Sequence, residues 1–180
     1  MYKRVPVKRV VVCSVGEYPT RLHRGDNEDI LDAIQNMYQL PHINALVRLV
    51  GIRRKGCAMG YHPGEHWRNL YAISKDKAFL DTLPTLVRSI DSHFRDVGPD
   101  RQPFVMVCMC KQGIHRSVSA ARLWAEILKR HDFLVEGPHH LRQSNWRGCR
   151  GTSCYHCDAQ AEGSKEMFDE IVSWLDLPDF

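Results

Sequence analysis

The side chains best suited to chemistry lie in one short stretch, Cys110-Lys-Gln-Gly-Ile-His-Arg-Ser117. A thiol and a guanidinium separated by five residues, with a hydroxyl directly after, can bracket a single phosphoryl group. The planar fork of Arg116 suits the paired oxygens of a phosphate. Loop amides and a helix N-terminus would supply further positive potential, and Gly113 lets the backbone turn tightly enough to form a cradle. Two chemistries are open. In one, the loop amides lower the pKa of Cys110, which becomes a nucleophile, with Arg116 on the equatorial oxygens and Ser117 assisting the departing thiolate. In the other, Cys110, Lys111, Gln112, Gly113, Ile114, His115, Arg116 and Ser117 hold an anion and perform no reaction on it. A structural cysteine in a strand-to-helix turn is the plain alternative to both.

Flanking elements must hold such a loop open. Residues 104 to 109, Phe-Val-Met-Val-Cys-Met, are a continuous apolar run of strand length, as expected for a central parallel strand covered on both faces. Residues 118 to 128 switch to helical spacing, with Val118, Ala121, Ala125 and Leu128 on one face, widened by Leu123, Trp124 and Ile127. Strand, tight loop and helix N-terminus together make an anion site at the carboxyl edge of a sheet.

The string Cys110-Lys-Gln-Gly-Ile-His-Arg-Ser-Val118 is similar to the Cys-Thr-Gly-Gly-x-His-Arg-Ser-Val loop in the C-terminal domain of the RapZ family, the RNase adapter proteins. The resemblance runs back through the amphipathic segment 77 to 95 and forward to Lys129-Arg-His131, the middle third of the chain. His115 followed by Arg-Ser-Val is its specific part, since the outer Cys-x5-Arg is shared with cysteine-dependent phosphatases. It implies a single RapZ C-terminal-like α/β domain over residues 1–180 that binds a phosphorylated sugar and structured RNA, with Cys110, Gly113, His115, Arg116 and Ser117 around the phosphate. Lys111 and Gln112 replace the family's Thr and first Gly, and Arg122 stands where a Glu is usual. The Walker-type nucleotide-binding half is absent from this sequence, so the resemblance implies no nucleotide cofactor.

Composition agrees with a globular α/β chain. One hundred and eighty residues suit one domain, and 43% hydrophobic against 26% charged residues is ordinary for a soluble protein. A formal charge of +4 permits an anionic partner without demanding one. No run is long enough to span a bilayer. The N-terminal Met1-Tyr-Lys-Arg-Val-Pro-Val-Lys-Arg9 has no plausible cleavage site, so a membrane association is not expected and a cytoplasmic location is. Seven cysteines without an export signal point to a reducing compartment.

Along the chain, residues 9 to 15 read as a first buried strand. Arg21, His23 and Arg24 follow on a loop that opens on the same rim or is a solvated turn. Asp26 offers an N-cap to a helix carrying Ile30, Leu31, Ile34, Met37 and Tyr38. Ala45 to Ile52 is a second strand, with Arg53-Arg-Lys-Gly56 at its end as a phosphate patch or a hydrated exit. Gly56 to Asn69 reads as an irregular loop with surface histidines at His62 and His66. The period of Phe79, Leu80, Leu83, Leu86, Val87, Ile90 and Phe94 predicts a helix starting near Thr82, with Pro84 in its first turn. Asp76 and Asp81 stand where a phosphatase's general acid could, or serve as first-turn acids of that helix.

Beyond a short strand at Phe133-Leu-Val135, residues 138 to 157 show neither helical nor strand period. A loop of this length needs something to order it. Cys149, Cys154 and Cys157, in a C-x4-C-x2-C spacing, could bind zinc with His140 or His139 as fourth ligand; unliganded thiols and a redox pair are the other readings. Arg142, Trp146, Arg147, Arg150 and Tyr155 alternate cations with aromatics, which suits stacking on unpaired RNA bases, or else Trp146 packs back on the domain. A last helix after Ser164 should turn Met167, Phe168, Ile171, Trp174 and Leu175 inward. The expected architecture is therefore a mostly parallel sheet of about four strands, helices on both faces, and a phosphate-binding loop between a central strand and its helix.

Overall fold

A computed structural model describes residues 7–17, 27–49, 62–99, 101–146, 149, 166, 169–173 and 175. Four strands form one sheet: β1 (Arg9–Gly16), β2 (Ala45–Arg48), β3 (Phe104–Cys110) and β4 (Leu134–His140). Their order is β2-β3-β1-β4, and every pairing is parallel. The expected sheet is therefore present.

The central strand needs both faces covered. All seven residues of β3 are buried, which is why its sequence is unbroken by polar residues. Helix α1 (Asn27–Tyr38) covers one face, setting Ile30 and Ile34 against Cys13, Val15, Val105, Val107 and Met109. The opposite face carries α2 (Trp67–Ser74), α3 (Lys77–Leu80), α4 (Leu83–Val97) and α5 (Arg116–Arg130). There Phe79, Ile90, Leu123, Trp124 and Ile127 pack on Val10, Val12, Phe104, Met106 and Cys108.

This topology creates a crevice. The chain leaves β1 through α1 on one face, travelling past β3 to reach β2. It leaves β3 through α5 on the other face, travelling past β1 to reach β4. Strands β1 and β3 are adjacent, yet their exits diverge to opposite faces and opposite edges. Such a switch point, at the carboxyl ends of the strands, is where open α/β sheets bind ligands.

The expected elements are refined in two places. The helix expected to start near Thr82 is α4, and the residues ahead of it form a separate short helix, α3, since Pro84 has no N–H to offer the Leu80 carbonyl. Thr82 takes the N-cap position of α4, as its spacing predicts. The short strand near 133 is longer than its sequence suggests: β4 runs on to His140, into the stretch without apparent period. Its pairing with β1 slips between Val11 and Cys13, opposite Gly137 and Pro138. Pro138 is tolerated because β4 is an edge strand. Near the C-terminus, helical backbone at 169–173 buries Ile171, and Leu175 follows it inward. Asp26, Ser164, Met167, Phe168 and Trp174 lie outside the residues whose placement or side chains are described.

Among the described residues, no helix is long and apolar enough to cross a membrane.

Candidate functional site

Cys110 is the last residue of β3 and faces Gly16, the last residue of β1, across the switch point. The Glu17 N–H donates to the Cys110 carbonyl at 2.9 Å, so the two strands stay paired up to the loop itself. The loop then curls back over the thiol. The Gly113 N–H lies 3.3 Å from Cys110 Sγ, and Ser117 Oγ lies 3.2 Å from the same sulfur. Both are what a sulfur at the floor of a cradle requires: an amide and a hydroxyl converging on one atom. Gly113 makes this turn at φ +69°, a left-handed conformation that favours glycine.

Two consecutive carbonyls of the loop are held from outside. The Gly113 carbonyl accepts from Trp146 Nε1 at 3.2 Å, and the Ile114 carbonyl accepts from the Gly64 N–H at 2.8 Å. In a trans peptide the C=O and the following N–H point in opposite directions. Anchoring these oxygens therefore aims the N–H groups of Ile114 and His115 away from Trp146 and Gly64. The helix itself begins at Arg116, with His115 at the N-cap position and its carbonyl accepting from Ser119 N–H at 2.8 Å. Positive potential at the helix start adds to these amides.

The sequence-predicted residues divide by position. Cys110, Gly113 and Ser117 are buried, and the last two both reach the Cys110 sulfur. Ile114, His115 and Arg116 are half-buried at the rim, whereas Lys111 and Gln112 stand in solvent. Arg116 does not lie idle: Nη1 donates to the Leu49 carbonyl, just past β2, at 3.1 Å. Asp76 caps α3 by accepting from Ala78 N–H at 2.8 Å, and Asp81 pairs with Lys77 at 2.9 Å, so both acids serve helix ends.

Other thiols are unlike Cys110 in setting. Burial in the apolar sheet pushes Cys13 up to about 11, and burial pushes Cys108 higher still, with Cys13 and Cys110 adding to it. Both are inert core thiols at neutral pH.

The second half of the site is not foreshadowed locally in the sequence. His140, at the end of β4, has Nδ1 2.8 Å from Ser14 Oγ and Nε2 2.8 Å from Glu65 Oε1. Hydrogen bonding to His140 holds the Glu65 carboxyl below its usual range against the opposing effect of burial, with the His140 and Arg122 charges adding to the lowering. An ionised carboxylate only accepts, so His140 Nε2–H donates to Glu65, while Nδ1 and the Ser14 hydroxyl share the second hydrogen bond. His66, expected at the surface, is 3% exposed and caps α2 by accepting from Arg68 N–H at 3.2 Å. The reason is local: Pro63 and Gly64 turn the chain inward, and Asn69 ties the turn down by donating to the Pro63 carbonyl at 3.0 Å. Glu17, also missed, is buried at the opposite lip of the crevice, 3.8 Å from Arg48.

The zinc reading meets a constraint. Both ring nitrogens of His140 are engaged, so a metal would have to displace Ser14 or Glu65. Cys149 is half-buried; Cys154 and Cys157 lie outside the described residues. Among the described residues no group of three or more His, Cys, Asp or Glu is arranged to hold a metal. Arg21, His23, Arg24, the 53–56 patch, Arg147, Arg150 and Tyr155 also lie outside them. Trp146 packs inward, 4% exposed. Compared with family models, with curated proteins and with solved structures, the chain matches none of them.

Proposed function

We propose that the loop 110–117 is an oxyanion cradle that binds the phosphoryl group of a phosphorylated small molecule, the role implied by its likeness to the RapZ C-terminal domain. The observation that carries this reading is the outward anchoring of the Gly113 and Ile114 carbonyls, which turns successive amides to the other side of the loop at a helix N-terminus. Arg116 stands at the rim, where it can exchange the Leu49 carbonyl for phosphate oxygens. A small molecule suits the site better than RNA phosphate, because Trp146, which holds the Gly113 carbonyl, is buried and unavailable for base stacking. Isothermal titration with inorganic phosphate, sugar phosphates and single-stranded RNA tests this. Saturable binding of the small anions, lost in Arg116→Ala, is the expected outcome; absence of binding to any of them overturns it.

A second reading is favoured by one specific contact set, the Gly113 amide and the Ser117 hydroxyl on Cys110 Sγ. A thiolate there would attack phosphorus, forming an S–P bond as the P–O bond to the leaving alkoxide breaks, and water would then release phosphate and the thiolate. The alkoxide needs a proton, and the two acids expected to supply it, Asp76 and Asp81, cap α3 instead. Hydrolysis of a chromogenic aryl phosphate that is vanadate-sensitive and abolished by Cys110→Ser would establish this reading. Retained anion binding in Cys110→Ser without any turnover in the wild type would dismiss it.

A further inference from the structure

The two groups that anchor the loop carbonyls come from segments far apart in the chain, and the structure joins them to each other. Trp146 follows the 3-10 turn Gln143–Asn145 and donates Nε1 to Gly113. Gly64 precedes α2 and donates its N–H to Ile114, while its own carbonyl accepts from Ser119 Oγ of α5 at 2.6 Å. The residue after Gly64 is Glu65, whose carboxylate accepts from His140. The His140 ring lies 5.4 Å from the Trp146 ring, and its other nitrogen is tied to Ser14 of β1. The result is a closed circuit: Gly113, Trp146, His140, Glu65, Gly64, Ile114.

We propose that this circuit is a brace that sets the amide directions of the oxyanion cradle, with Trp146, His140 and Glu65 as positioning residues for the anion. The inference rests on the reading of loop 110–117 as an anion site. Its physical basis is preorganisation. A short loop bearing a glycine in the left-handed region has several backbone conformations of similar energy, and convergent amides repel one another until an anion arrives. Fixing the two carbonyls from outside removes the competing peptide orientations before binding, so the anion does not have to order the loop. Ser14 serves the circuit by tying the other ring nitrogen to β1, which fixes the orientation of the imidazole that presents Nε2–H to Glu65. None of the three positioning residues needs to touch the anion.

The test is isothermal titration with tungstate, a tetrahedral oxyanion, at a temperature where near-ultraviolet circular dichroism shows every variant folded. Trp146→Phe keeps an aromatic ring but removes the donor to Gly113 along with the second ring of the indole; it should weaken tungstate binding by about three- to tenfold, on the order of one hydrogen bond. Glu65→Ala, a change at a partly exposed side chain, should weaken it comparably, and Glu65→Gln, which can still accept from His140, should retain more affinity than Glu65→Ala. A merely structural role would lower melting temperatures without producing that ordering in affinity. Wild-type binding that is lost in Arg116→Ala but equal in Trp146→Phe, Glu65→Ala and the wild type overturns the brace and leaves the anion site standing. Failure of the wild type to bind tungstate or phosphate overturns both.

Discussion

Gly16 and Gly113 meet backbone to backbone at the switch point, closer than any side chain would allow. A Cβ on Gly16 would stand 2.5 Å from the Gln112 carbonyl carbon, and one on Gly113 would stand 2.5 Å from the Gly16 nitrogen. The loop is thus packed directly on the end of β1.

From that contact, Gly113→Ala is expected to be the more damaging of the two alanine substitutions. Both force the backbones apart, an overpacking cost of about 1–3 kcal/mol, and at Gly113 the left-handed φ adds roughly 1 kcal/mol more. Urea denaturation of Gly16→Ala and Gly113→Ala measures this. A Gly113→Ala protein as stable as the wild type would show that the loop does not sit on β1 as described.

The buried thiols set an alkaline limit. The Cys13 thiol is raised from an ordinary 9.0 to about 11, so the folded state keeps its proton while the unfolded chain loses it. The stability this contributes is fully present below pH 9.0 and is lost as pH rises toward about 11. Unfolding free energies measured from pH 8 to 11 should fall in the wild type more steeply than in Cys13→Ala. Parallel slopes for the two proteins would count against the burial of this thiol.

The acid limb is set in part by Glu65. Its carboxyl is held below the usual 4.5 by the bond to His140, so the unfolded chain takes up the proton first as pH falls. Stability from this group is present above pH 4.5 and is lost as pH drops through its folded value. Glu65→Gln, which cannot titrate, should show a shallower loss of unfolding free energy between pH 5 and the acid midpoint than the wild type. An identical acid profile would mean that the Glu65–His140 bond contributes nothing.

The elements that speak for themselves in the sequence are those with local patterns. The unbroken apolar run of β3, the switch to helical period at α5 and the first-turn position of Pro84 each follow from the residues involved, and Cys110, Gly113 and Ser117 come together as their spacing implies. What stayed hidden depends on pairing across distance. Ser14 and His140 are 126 residues apart, and Glu65 and His140 are 75 apart, so no window of sequence contains either contact. The far end of β4 was hidden by chemistry that mimics a loop, Gly137-Pro138 inside a strand, and its length brings His140 to the sheet rim. Trp146 carries an ambiguity that composition cannot resolve: the same Trp among arginines could stack on a base or, as found, close over a loop.

The most direct measurement is a titration of isotopically labelled protein with inorganic phosphate, following backbone amide resonances. The cradle predicts that the Ile114 and His115 amides shift most and saturate together, and that neither moves in Arg116→Ala. Resonances of the 110–117 segment that stay unmoved at saturating phosphate, or that shift equally without Arg116, would contradict it.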